Sequence, residues 1–131
     1  VVPGVGDAGA HVSMIMDAGW SSFFISHWYR DQKAFSLEET IHMLTEKQNR
    51  VLALPDRGSL VVGKKADVNV IDIDRVEERQ PKRVLDLPGG FPRLIQRAAG
   101  YKNTIVNGKI ILEDNELTDE RGGTVIRGNS R

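Results

Sequence analysis

The sequence contains no cysteine. That absence removes disulfides, thiolate zinc sites and cysteine nucleophiles together, and it is compatible with a cytoplasmic location, which is the expectation here. An excess of charge of one sign is missing as well, since 18 Lys+Arg are balanced by 18 Asp+Glu. A chain held on DNA or RNA through phosphate contacts usually carries a basic excess, so no nucleic-acid partner is expected. No apolar run nears the roughly 20 residues that span a bilayer, so no membrane is expected either. The opening residues, Val1-Val2-Pro3-Gly4-Val5-Gly6, offer neither a basic n-region nor a long h-region, and there is no initiating Met. The chain reads as cut out of something longer. What is present is 131 residues with 40% apolar content, 13 glycines and 6% aromatics, which suits one globular unit with a modest core.

Val1 to Val5 read as a short buried strand, because β-branched residues dominate and glycines follow at once. From Trp20 to Tyr29 the apolar positions 20, 23, 24, 28 and, less regularly, 25 have the spacing of one helical face. A second helix is announced by Ser36 and Glu39, an S-x-x-E capping box. Leu37, Ile41, Leu44, Val51 and Leu52 keep its periodicity, and Pro55 ends it. Beyond Asp56-Arg57-Gly58 the period changes to that of strands. Leu60 to Val62 and Asp67 to Asp72 look like two strands joined tightly through Gly63-Lys64-Lys65. The charged run Arg75 to Arg79 reads as a solvated face. Pro81, Pro88-Gly89-Gly90 and Pro92 punctuate a stretch without assignable structure. Asn107-Gly108 between β-rich runs predicts a type I′ hairpin, with both central residues at positive φ and its strands in one sheet with Val68 to Ile71. A last strand is expected at Thr124 to Arg127. Helices lie before a boundary near Pro55 to Gly58 and strands after it.

The one dense polar cluster is Gly6-Asp7-Ala8-Gly9-Ala10-His11, at the C-terminal end of the first predicted strand. In α/β barrels that end presents residues to a pocket. The competing reading is a turn in which Asp7 accepts backbone N–H groups and His11 packs. The aromatic set Trp20, Phe23, Phe24, Trp28 and Tyr29 has two readings as well, a pocket wall or, more commonly for such spacing, core. His27 and His42 fall in helical segments, and the histidine spacing of 11, 27 and 42 matches no local metal motif.

Taken in order, Gly6-Asp7-Ala8-Gly9-Ala10-His11-Val12, Asp17, His27-Trp28, Arg30-Asp31, Arg57-Gly58-Ser59-Leu60, Gly63-Lys64-Lys65-Ala66-Asp67 and Val106-Asn107-Gly108-Lys109 resemble the C-terminal part of the metal-dependent amidohydrolases. The nearest branch by this reading is the D-aminoacylases, or N-acyl-D-amino-acid deacylases. The resemblance implies an α/β parent, a (β/α)8 barrel plus a small β-sandwich assembled from both ends of the chain. Residues 1–55 would be the last barrel strand with its following helices, and 56–131 most of the sandwich, so the chain taken alone would be α+β. It implies that Asp7 is the aspartate ending the eighth strand, which contacts the metal and handles the proton of the attacking water. Zinc or another divalent metal would supply the nucleophile in the parent, its other ligands lying outside this chain. His11, Asp17 and Trp28 are the further candidates around Asp7, and Asp67 is read as a strand-edge or turn residue of the sandwich.

An N-acyl amino acid substrate carries an α-carboxylate that usually takes an Arg or Lys. No such residue precedes Arg30, so the group comes from elsewhere or from Arg30 itself. An isolated chain of this kind leaves strand edges and an apolar helix face unpartnered. Self-association through Phe23, Phe24 and Trp28, or pairing with the missing N-terminal portion, is therefore expected. The alternative is that residues 1–35 close the core within one copy. A non-catalytic β-rich assembly module is the competing functional class.

Overall fold

The computed structural model describes residues 2–4, 6–9 and 13–127. Taken alone, the chain is an α+β structure, with helices first and antiparallel strands after. Helix α1 (Trp20–Phe23) runs directly into π-helical turns over Phe24–Asp31, covering the stretch whose spacing predicted a helix. Its buried side is not the aromatic one. Ser22, Ile25 and Ser26 are buried, whereas Phe23 and Trp28 are 39% and 42% exposed. Ser22 Oγ shares a 3.0 Å hydrogen bond with Tyr101 Oη, a close approach that bulky rings would prevent. The rings pair among themselves instead, Phe23 stacked on His27 at 4.7 Å and Phe24 on Phe35 at 5.6 Å. For Phe23 and Trp28, the idea that one copy closes over the aromatics is not what the fold shows.

The capping box forms as expected. Glu39 N–H donates to Ser36 Oγ at 3.1 Å, and Ser36 N–H donates to Glu39 Oε2 at 2.9 Å. The single helix expected beyond it is broken into α2 (Leu37–Leu44) and α3 (Glu46–Val51) at Thr45, which has φ −125° and ψ −93°. Thr45 Oγ1 donates back to the Ile41 carbonyl at 2.7 Å, the kind of back-bonding that bends helices at hydroxyl residues. Its own carbonyl then accepts from the backbone N–H of Asn49 and from Asn49 Nδ2.

The strands are β1 (Val68–Ile71), β2 (Glu77–Glu78), β3 (Lys82–Val84), β4 (Arg93–Ile95), β5 (Ala98–Ala99), β6 (Tyr101–Val106), β7 (Lys109–Glu113) and β8 (Glu116–Leu117). One antiparallel sheet has the order β1-β6-β7-β8, beside two-stranded ribbons β2-β5 and β3-β4. Val68 pairs with Ile105, and Val106 with Lys109. Asn107 and Gly108 sit at φ 49° and 80°, so the predicted hairpin and its shared sheet are both found. Asp67 fills its turn role by accepting from Arg57 Nη1 at 3.0 Å and from Asn107 N–H at 2.9 Å.

Other expectations fail. Residues 2–4 are not a strand, and Val1 and Val5 lie outside the described residues. The Pro3 carbonyl accepts instead from Gln48 Nε2 at 2.6 Å, and Pro3 itself has no N–H to give a ladder. Leu60 to Val62 form no strand, with Val62 fully exposed, because the turn there folds back on itself: Lys64 N–H donates to the Val61 carbonyl and Val61 N–H to that of Ser59. Thr124 to Arg127 form no strand and have no ladder partner among the described residues. The stretch from Pro81 to Tyr101, which read as loop, supplies β3, β4 and β5. The charged run is not a solvated face throughout, since Val76 is 0% exposed and Glu78 lies in β2. Ile25, Val76 and Ala99 are the buried apolar residues among those described, marking the seam between the first helix and the β2-β5 ribbon. Among the described residues no helix is long and apolar enough to cross a membrane.

Candidate functional site

Asp7 is exposed and sits in a segment without regular structure. It follows Gly6, whose backbone lies against the carbonyl of Asp17 and the indole of Trp20, where any Cβ would collide. The backbone just before Asp7 thus passes close to the residues that lead into α1. The β-rich half fixes the helix in turn. Gly19 N–H, at the helix start, donates to Gln96 Oε1 at 2.8 Å, and Gln96 Nε2 donates to the Arg79 carbonyl at 3.0 Å. At the far end Arg30 Nη1 donates to the carbonyls of Val76 at 2.8 Å and Asp74 at 3.2 Å. Between them lies the Ser22–Tyr101 bond.

Of the predicted site residues, Asp7 and Asp17 are brought near one another through that backbone approach, and both side chains are exposed. Trp28 lies two helical turns beyond Trp20, edge-on to His27 at 4.9 Å. His11 lies outside the described residues. Arg30 is already engaged by two carbonyls and by Asp31 Oδ1 at 3.0 Å, so it docks the helix and does not stand free for a substrate carboxylate. Gln96 was not legible as a positioning residue, because its partner Gly19 is remote in sequence. Trp20, counted only with the aromatics, is the indole that flanks Gly6.

Among the described residues, two of the clefts that lie elsewhere carry charged linings. One of about 460 Å³ runs along α3 by Arg50, Arg57 and Lys64. The other, about 500 Å³, is lined by Glu78, Lys82 and Arg97 among others, and Glu78 Oε2 is buried without a hydrogen-bond partner. Neither is lined by Asp7. Among the described residues no three His, Asp or Glu side chains lie close enough to hold a metal ion together, so these residues do not by themselves fit a metal centre.

Comparison with known proteins gives the class of this arrangement. A solved D-aminoacylase structure, described by the functional role of its binuclear metal centre, superposes with a TM-score of 0.64 at 27% identity. It covers 80% of this chain and 20% of that one. The N-acyl-D-glutamate deacylase of Alcaligenes xylosoxydans xylosoxydans is 34% identical over 110 residues, 82% of this chain and 20% of the relative. A 5′-deoxyadenosine deaminase of Methanobrevibacter smithii is 37% identical over 89 residues, 66% of this chain and 19% of the relative. The chain thus spans about one-fifth of the length of the curated relatives it matches. The model of the amidohydrolase family matches residues 2–112, and the chain belongs to that family.

Proposed function

We propose that this polypeptide contributes the proton-handling carboxylate of a metal-dependent amidohydrolase that hydrolyses the C–N amide bond of an N-acyl-D-amino acid. Residues 1–55 would supply the end of the barrel and 56–131 most of a β-sandwich, in a cytoplasmic enzyme. The similarity to an N-acyl-D-glutamate deacylase across 82% of the chain carries the reading. It is supported by the close approach of Gly6, next to Asp7, to the start of a helix docked at both ends. In this role Asp7 accepts the proton of the attacking water and returns it to the leaving amine, while Asp17 shapes the loop around it.

The test is Asp7→Asn in the polypeptide that carries this sequence in the cell, assayed on N-acyl-D-amino acids. An amide cannot accept that proton, so turnover should fall by about 10²–10⁴-fold with the circular dichroism spectrum unchanged. Asp7→Asn with undiminished turnover would defeat the assignment. The 131-residue chain alone is expected to hydrolyse these substrates no faster than buffer, and elemental analysis is expected to show only weak zinc binding. A non-catalytic assembly role is the second reading, favoured by Leu60 at 84% and Val62 at 103% exposure, an apolar surface of the kind that partners cover.

A further inference from the structure

The hairpin turn that the sequence announced brings together two groups able to react with each other. We propose that Asn107-Gly108 is a latent site of spontaneous modification, a succinimide-forming pair that the fold holds shut through Ala66 and Gly122. Asn-Gly is the pair in which the following backbone nitrogen is least shielded by a side chain. In the reaction the Gly108 nitrogen loses its proton to solvent base and attacks Cγ of Asn107. A new C–N bond forms, the Cγ–Nδ2 bond of Asn107 breaks, and ammonia leaves. Water then adds to one imide carbonyl and opens the ring to aspartate or isoaspartate, with no change of oxidation state.

In the folded chain both reacting groups are engaged. Gly108 N–H donates to the Ala66 carbonyl at 3.0 Å, so the nucleophile is held as a donor. Asn107 Nδ2 donates to the Gly122 carbonyl at 2.7 Å, so the amide that must be attacked is fixed against the segment following β8. Asn107 N–H donates to Asp67 Oδ1 at 2.9 Å, which secures the same turn from the other side. The reaction therefore waits on local opening of this clamp.

The product cannot close the clamp again. A carboxylate is acceptor-only, so it repels the Gly122 carbonyl where the amide donated to it, and it places a second negative charge beside Asp67. Isoaspartate adds a backbone methylene to a turn that accommodates two residues. Modification at 107 thus marks irreversibly any molecule that has opened there.

The experiment follows Asn107 by peptide mass spectrometry, with fragmentation that separates aspartate from isoaspartate. The full chain is aged at mildly alkaline pH folded, unfolded in urea, and as the folded variant Gly122→Val. A Cβ at 122 would collide with the Val106 carbonyl oxygen, displacing the segment after β8 from the turn. The unfolded protein should modify at least about tenfold faster than the folded one, and Gly122→Val, which loses one of the three bonds of the clamp, should fall between the two. Equal rates in the folded and unfolded wild type would overturn the proposal, as would a folded Gly122→Val no faster than wild type. Should that variant not fold, amide exchange decides: Gly108 in the wild type must be protected, and exchange at the unfolded rate refutes the clamp.

Discussion

Gly100 is the point at which the β-rich half accepts the turn that docks the first helix, and Gly100→Ala tests that directly. Its φ is +83°, and an added Cβ would lie 2.5 Å from Val76 N and 2.6 Å from Val76 Cα. Both are backbone atoms, so no side chain can rotate aside. The left-handed conformation costs an alanine about 1–2 kcal/mol. Forcing a methyl into a filled space adds about 1–3 kcal/mol. Gly63→Ala is the control, because Gly63 has φ +94° but nothing within 4 Å of an added Cβ, so it bears only the first cost. Urea unfolding followed by circular dichroism and tryptophan fluorescence should show a midpoint loss on the order of 1 M or more for Gly100→Ala, at unchanged m. The loss for Gly63→Ala should be clearly smaller. Because the Val76 carbonyl also accepts from Arg30, amide exchange over Phe24–Asp31 should quicken in Gly100→Ala and stay unchanged in Gly63→Ala. Equal destabilisation by the two substitutions would refute the reasoning, since it would mean that the Val76 turn yields freely.

Gln96→Ala leaves Gly19 N–H without its acceptor and should cost about 1 kcal/mol. Exchange at Gly19 should accelerate, and an unchanged Gly19 rate would remove Gln96 from its positioning role. The Arg93 guanidinium, bonded to both carboxylate oxygens of Asp86 at 2.6 and 2.7 Å, holds that carboxyl below its ordinary value of 3.8. A lowered folded-state pKa means that the stabilisation is present above the unfolded value and lost as pH falls through the folded one. The advantage of wild type over Asp86→Asn in thermal melts should therefore shrink as pH falls through the ordinary carboxylate range and vanish once the folded-state carboxyl is protonated, and a gap that persisted in fully acid solution would contradict the pairing. Phe23 and Trp28, both exposed in one copy, should drive concentration-dependent association in light scattering, weakened by Phe23→Ser with Trp28→Ser. A stable 14.6 kDa species at every concentration would contradict it.

Local signals were legible in the sequence wherever the partner of a group lies within a few residues. Ser36 and Glu39 satisfy each other's backbone, and Asn107-Gly108 fixes its own turn, so both could be read without tertiary knowledge. Contacts between distant residues were not legible. Nothing local distinguishes Ser22 from Phe23 as the buried residue, since the choice depends on Tyr101, 79 positions away. The apolar run Leu60 to Val62 has strand composition but no neighbour to pair with among the described residues, and β-propensity expresses itself only against a partner. The two-residue strands β2 and β5 are too short for periodicity to show. Around the proposed site, Asp7 stood out through a motif, whereas Gln96 and Arg30, which dock the following helix, act on backbone atoms that carry no residue signature.

The deacylase and deaminase relatives match 82% and 66% of this chain, so their matches overlap, although the two names describe different substrates. On the proposed reading, a segment shared by both would serve what their reactions have in common more than the recognition of either substrate. The structure agrees in one specific respect. The cation best placed by sequence to bind a substrate carboxylate, Arg30, gives Nη1 to two carbonyls and Nε to Asp31. Its charge is used to dock the helix behind the Asp7 segment. On the proposed reading, a group so engaged serves the placement of the helix, and recognition of a substrate would fall to residues elsewhere. Arg30→Lys makes the distinction measurable in the polypeptide assayed above. Lysine offers a single ammonium in place of the planar fork that spans Asp31 and both carbonyls, so docking is loosened while the charge remains. Turnover should fall on every N-acyl-D-amino acid tested by a similar factor. A loss confined to KM, and lifted when the substrate carboxylate is replaced by an amide, would return Arg30 to substrate recognition.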